Sequence, residues 1–372
     1  MLASVPSVAA VLTFASQLTL KELESRLEQV RRAQAGHSNR DFVFDLRCVA
    51  WIDIASVLFL LVILSLLRAD GHKLTLLLPE GTQGKKARDF LRRWKFFQAL
   101  EDNIDRVENL LPSDQLEQYY FREEQSYYLP ASVESPNNVL EALISKRLME
   151  ITSFAYLQDG GRRISLEAID RYISDLKKTI VAPILKSVIG SCESQDDFTE
   201  LFADVLVREA LWNSYEHPMA TFSAISMARE GKNFVVAVAD NGLTIPATIR
   251  ETYSKHERKS DVQLLEGAFN NDELYGDLFR KITDQTLIEF ATQPGVTSKP
   301  DTSSPTRGMG LYYLKSYTTS LGGTLTVRSG EASVKFSRDV AGEIVVSGDP
   351  RIDCRGTLIK IVLPIAESKI RK

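Results

Sequence analysis

The chain has 372 residues, 44% of them hydrophobic and 25% charged, with a formal net charge of −4. That is long enough for two domains, and the composition is that of a folded globular protein. The charge favours neither a nucleic-acid nor an anionic-membrane partner as a whole. Three scattered cysteines (Cys48, Cys192, Cys354) and four scattered histidines (His37, His72, His217, His256) lack ligand spacing. They argue against a structural zinc and fit a reducing compartment.

Met1 to Thr13 is apolar but has no basic segment before it, so it makes a poor signal peptide. Asp41–Cys48 alternates like a strand, and Lys73–Leu78 reads as a second one. Between them, Ile54–Leu67 is apolar throughout, bounded by Asp53 and Arg68. It is too short to cross a bilayer and is expected to be a buried helix. The protein is therefore expected to be cytoplasmic, without a membrane span. Lys86–Leu100 carries helical apolar spacing at Phe90, Leu91, Trp94 and Phe97. Its basic residues (Lys85, Lys86, Arg88, Arg92, Arg93) form either a local patch or a solvated helix face. Strand, helix, strand, helix implies parallel crossovers.

This region, residues 1–111, resembles a STAS domain, the fold of anti-sigma factor antagonists. A strand ending in Asp45, the Ile52–Asp53 step, a helix and a glycine-punctuated strand carry the resemblance. Phosphorylatable members follow that aspartate with small hydroxyl residues. Here Ile54 and Ala55 follow, and Ser56 comes one position late. The resemblance then implies a binding or dimerisation module without a phosphate acceptor, working through the surface around the Asp53 helix start.

Residues 112–195 are expected to be a connector with linking helices over Val139–Leu157 and Leu166–Ile189, split by Asp159-Gly160-Gly161. Phe202–His217 then reads as one helix ending before Pro218. At 100° per residue, Phe202, Leu206, Glu209, Asn213 and His217 fall within an arc of about 80°. Polar groups on such a stripe either line a cavity or emerge into solvent as the helix leaves the core.

Ala224–Arg229 and Phe234–Ala239, joined at Gly231, read as a hairpin whose second strand ends in Asp240-Asn241-Gly242. A carboxylate there can accept from an exocyclic amine, and a glycine lets a flat base approach the backbone. Arg307-Gly308-Met309-Gly310-Leu311 opens a helix over Tyr312–Leu321, where backbone N–H groups favour phosphate. Gly323–Val327, Ser333–Ser337 and Gly356–Leu363 read as strands.

The ordered series Glu209–Asn213, Asp240–Gly242, Gly308–Leu311, Gly322–Thr324 and Gly356–Thr357 resembles the Bergerat ATP-binding fold. Gyrase, a major heat-shock chaperone, mismatch-repair ATPases, histidine kinases and anti-sigma serine kinases share that fold. The expected architecture is α/β, a STAS-like β-α domain joined by helices to a two-layer Bergerat sandwich over residues 196–372. The resemblance implies ATP and Mg2+ as cofactors. Asn213 would hold the metal, Asp240 would read the adenine amine, Gly242 would lie beneath the base and Thr357 would support it. Arg307, Gly308, Gly310 and Leu311 would lie at the phosphates, with His217 at the end of the Asn213 stripe. Glu209 would be the general base, or would only orient Asn213.

Thr244 stands where the family has a second glycine, which implies a stiffer hinge for a long lid over Thr244–Thr306. Helices are expected in the lid near Asp261–Ala268 and Asp272–Ala291. The pairing of the two resemblances is like that of bacterial regulatory proteins. An ATP-dependent switch or slow ATPase acting on a partner protein, alone or as a homodimer, is the expected function. The alternatives are a serine protein kinase of the anti-sigma type and a binding module in which nucleotide is only structural.

Overall fold

The computed structural model describes residues 9–34, 41–94, 96–100, 106–108, 147–155, 171, 174, 177–182, 185, 202–206, 220–253, 282–296, 309–350 and 354–365. It is of the α/β class. In chain order, the N-terminal elements are β1 (Ala10–Thr13), β2 (Gln17–Leu18), α1 (Leu20–Gln34), β3 (Asp41–Asp45) and β4 (Trp51–Ile52). Then come α2 (Ile54–Ala69), β5 (Lys73–Leu77), α3 (Gly81–Arg93), α4 (Phe96–Leu100) and β6 (Arg106–Glu108). The order β1-β3-β5-β6 makes a four-stranded sheet in which every pair is parallel, as the alternating strand and helix patterns imply. The helix expected over Lys86–Leu100 begins earlier, at Gly81, and breaks at Trp94, which serves as its C-cap. Gly81 and Gly84 lie in its first turn.

The second sheet has the order β12-β11-β10-β13-β9-β8-β7 and is antiparallel throughout. Its strands are β7 (Arg147–Ala155), β8 (Phe222–Glu230), β9 (Asn233–Asp240), β10 (Thr324–Ser329), β11 (Ala332–Arg338), β12 (Ile344–Pro350) and β13 (Thr357–Pro364). Strand β7 corrects the helix expected over Val139–Leu157. Its apolar spacing suits either state, and pairing with β8 decides for the strand. In the second expected linking helix, Lys177–Val181 is a π-helical stretch. Asp159 to Gly161 lies outside the described residues. Helices α5 (Ile245–Tyr253), α6 (Asp284–Ala291) and α7 (Gly310–Ser320) also lie among the described residues. Helix α6 falls inside the expected Asp272–Ala291 helix, and Asp261–Ala268 lies outside the described residues. No helix among the described residues is long and apolar enough to cross a membrane.

Helix α2 is buried from Ile54 to Leu67 on every side. A helix apolar all round must be covered all round. Strand β5 covers one side and strands β8, β9 and β13 the other. On the antiparallel sheet the side chains facing it are Phe222, Ala224, Ala228, Val235, Ala237, Ala239 and Leu358, which join α2 in one core cluster. The four alanines let a bulky helix lie close to the backbone. Phe234, Val236 and Val238 alternate to the opposite face, where a second core forms with α5, α6, α7 and residues 202–206. Strands β8 and β9 are therefore buried on both faces along most of their length.

Asp53 is the N-cap of α2. Its Oδ1 accepts from Ser56 N at 3.0 Å and its Oδ2 from the Ser56 hydroxyl at 2.7 Å. Ser56 is fully buried, and Asp53 holds its hydroxyl. The helix start also meets the chain's own β8–β9 hairpin, where Glu230 Oε1 lies 3.5 Å from Ile54 N. Trp51, three residues before Ile54, is half exposed.

Burial raises the Glu230 pKa above its ordinary 4.5, and the Asp53 charge adds to the rise. Lys360, with Nζ 3.9 Å away, opposes it. The folded state therefore holds this proton more tightly than the unfolded chain does. The resulting stability is fully present below 4.5 and is lost as pH rises through the folded pKa. Glu230→Gln should remove that pH-dependent loss and raise the melting temperature at neutral pH. Thermal melts across a pH series check this; parallel profiles for variant and parent would refute it.

Candidate functional site

Alternation along the strands fixes which polar residues share a face. In β9, Val236 and Val238 point to the helical layer, so Asp240 does too. The same argument places Thr357 in phase with Ile359 and Ile361, Ser329 with Leu325 and Val327, and Ser223 with Ile225 and Met227. The registers Ser223↔Asp240, Asp240↔Thr357 and Thr357↔Ser329 line these four up across adjacent strands. The result is a row of polar side chains at the end of an apolar face, each 3% exposed or less. A row of this kind must be paired within the protein or with a ligand. Ser329 and Thr357 hydroxyls lie 2.9 Å apart. Asp240 Oδ1 accepts from Gly242 N at 2.9 Å. Asp240, Gly242 and Thr357, expected as base-reading residues, are thus brought together. Ser329 and Ser223 were missed, although their phase with the apolar residues of their strands was the available signal.

The turn after β9 is held from three directions. Gly356 N donates to Gly242 O at 2.8 Å. Gly356 has φ +90°, and a Cβ there would overlap the Asp240 carbonyl oxygen. Asn241 faces the other way, toward α2, and is buried. Its Oδ1 accepts from Thr221 N and Phe222 N, each at 2.9 Å. Its Nδ2 donates to Ser65 Oγ on α2 at 3.1 Å and to Thr221 Oγ1 at 2.9 Å.

Thr244, where the resemblance leads one to expect glycine, caps α5. Its hydroxyl accepts from Ala247 N at 3.2 Å, and its carbonyl accepts from Thr248 N at 3.0 Å. Ile245 N then donates to Ser329 Oγ at 2.9 Å, which ties the helix start to the polar row. Arg250 and Asp284 pair α5 with α6 at 2.6 Å.

Gly310, buried, opens α7. Met309 provides no side-chain cap there, and Leu311 packs half-buried on the core. Residues 202–206 are helical, and Phe202 meets the Tyr317 ring of α7 edge-on at 5.9 Å. Burial raises the Tyr317 pKa, and Tyr313 and Tyr312 add to the shift. Glu209, Asn213, His217, Arg307 and Gly308 lie outside the described residues.

Lys315 of α7 is a buried cation that the sequence did not announce. Its Nζ donates to Thr292 Oγ1 at 3.2 Å and lies 5.7 Å from the centre of the Phe336 ring. Burial lowers its pKa. It joins α7 to the end of α6, away from the polar row in the pairing it makes.

Against this geometry, no protein-family model matches the chain, and a search of curated proteins finds no match. The reading of the site therefore stands on its own residues. The close packing of Gly356 gives a direct test. Gly322 has φ +70° with no atom within 4 Å of an added Cβ, whereas at Gly356 that atom would also press on Val62 Cγ1 at 3.1 Å and Asn241 Cα at 3.2 Å. Gly322→Ala should cost only the left-handed backbone penalty, about 1–2 kcal/mol. Gly356→Ala should cost that plus an overpacking term of about 1–3 kcal/mol. Urea denaturation of both variants measures the difference, and equal losses would refute the close packing behind Asp240.

Proposed function

We propose that the antiparallel sheet and its helical layer form an adenine-nucleotide site that takes Mg-ATP. The observation that carries this reading is the buried row of Asp240, Thr357 and Ser329, with glycines at 242 and 356 beside it. A carboxylate is an acceptor only and suits an exocyclic amine. A hydroxyl can accept or donate toward the base or a water beside it. Gly242 leaves room beneath a flat ring. The uncapped start of α7 at Gly310 and Leu311, with Gly308 and Arg307 ahead of it, is assigned to the phosphates. Asn213 is assigned to Mg2+, with His217 beyond it, and Glu209 to proton abstraction from water or an acceptor hydroxyl. Bound ATP would supply a phosphoryl group for hydrolysis or transfer.

In this reading the protein is a cytoplasmic regulatory ATPase or nucleotide switch that acts on a partner protein, alone or as a homodimer. Its N-terminal sheet and helices serve as a STAS-like module. Since the Ser56 hydroxyl is buried and held by Asp53, a serine-kinase activity would need an acceptor on another protein.

Titration calorimetry with Mg-ATP should give a dissociation constant between about 1 μM and 1 mM, that is about −8 to −4 kcal/mol. Asp240→Asn exchanges an acceptor oxygen for an amide and should weaken binding by about 1–3 kcal/mol. Unchanged affinity would remove the base assignment. With gamma-labelled ATP, Glu209→Ala should keep binding and lose turnover by roughly a hundredfold. Label appearing on a protein of added extract, in place of free phosphate, would move the reading to the serine kinase.

A further inference from the structure

The residues that wall the polar row each have a neighbour in sequence that faces the other way. Asp240 is followed by Asn241, and Ser329 is preceded by Arg328. Alternation sends the second of each pair through the sheet to the N-terminal layer. Asn241 reaches Ser65 of α2. Arg328, 1% exposed, has its Nε 3.2 Å from Glu24 Oε1 of α1, and its guanidinium lies 4.6 Å from the centre of the Phe59 ring of α2. Val62, three residues before Ser65, sits close behind Gly356.

The Asn241 carboxamide has only one workable orientation. Two backbone N–H groups point at Oδ1, so Nδ2 must face the Ser65 and Thr221 hydroxyls. Ser65 in turn spends its own proton on the Val62 carbonyl at 2.8 Å, which leaves its oxygen to accept from Asn241. Both ends of the Asn241 carboxamide are thus satisfied, and Ser65 both donates and accepts. A satisfied buried polar network fixes position more tightly than apolar packing does, because a small shift leaves a donor without a partner.

We infer that Asn241 and Ser65 are positioning residues for the base-reading carboxylate, so that helix α2 of the N-terminal layer is a structural part of the nucleotide site. The inference rests on the nucleotide reading above. It adds that Asp240 is aimed from behind by a segment that lies far away in sequence. Linkage makes the relation reciprocal: whatever α2 does for Asp240, a bound base does for α2. A partner that shifts α2 would therefore change nucleotide affinity without touching the pocket.

The test uses the full chain and two nucleotides, ATP and purine riboside triphosphate, which lacks the exocyclic amine. Ser65→Ala removes one acceptor and little volume. It should weaken ATP about fivefold, the effect of one neutral hydrogen bond, and leave the analogue unchanged. A merely structural loosening would weaken both alike. In the unmutated protein, hydrogen exchange in Val62–Ala69 should slow when ATP is added, a measurement that holds even if the variant fails to fold. Discrimination by Ser65→Ala equal to the parent's, equal weakening of both nucleotides, or exchange indifferent to ATP would each overturn the inference while leaving the nucleotide reading intact. A parent protein that binds neither nucleotide would overturn both.

Discussion

Helix α2 has no face that water could wet, and the rest of the fold answers to that constraint. Each of its large side chains would lose about 1.5–3 kcal/mol if left exposed. One parallel sheet covers only one side, so a second surface has to be brought up. Strands β8 and β9 supply it with Ala224, Ala228, Ala237 and Ala239, whose small side chains accept the bulk of the helix. The price is that strands β8 and β9 become buried on both faces, and the polar side chains buried there must then be matched.

The matching differs between the two faces. Toward α2, the polar groups are held within the protein: Asn241 makes four hydrogen bonds, and Arg328 has Glu24 and the Phe59 ring. A buried ion pair adds little net stability compared with well-packed apolar residues, but breaking it costs about 3–5 kcal/mol. Its effect is to fix how α1 and α2 lie on the sheet. Toward the helical layer, polar groups gather in one row at the strand ends, beside a turn and two helix starts. In the nucleotide reading, that clustering is what assigns the site to the second face.

Local patterns in the sequence announced much of this. Alternation in Phe234–Ala239, the unbroken apolar run of α2, and Asp240-Asn241-Gly242 at a strand end lie where the residues placed them. What escaped notice depends on partners far away in the chain. Strand β7 is settled by β8, and β12 by β11, because neither segment has a period of its own strong enough to decide. The two hydrophobic regions also share a core cluster, and nothing local says so: Glu24 and Arg328 are 304 positions apart. Ser329 was legible by phase alone, but a serine ending a strand looks like the start of a turn. Helix α5 was legible too, since Thr244-Ile245-Pro246 is a capping signal followed by a residue suited to a first helical turn.

Thr244 also bears on how a lid in this protein would work. A glycine at that point would leave the chain free to swing directly after the base-reading turn. Thr244 instead commits the next residues to a helix, and α5 is bonded at its first turn through Ala247 N, Thr248 N and Ile245 N. Moving it would break bonds worth about 1 kcal/mol each and strip Ser329 of one of its two partners. The contact of Arg250 with Asp284 adds a further restraint on the far side of the helix. A hinge needs residues that change backbone angles at little cost, and 244–253 are not of that kind. In the nucleotide reading, α5 is then a fixed wall of the site, built on the same hydroxyl pair that faces the base.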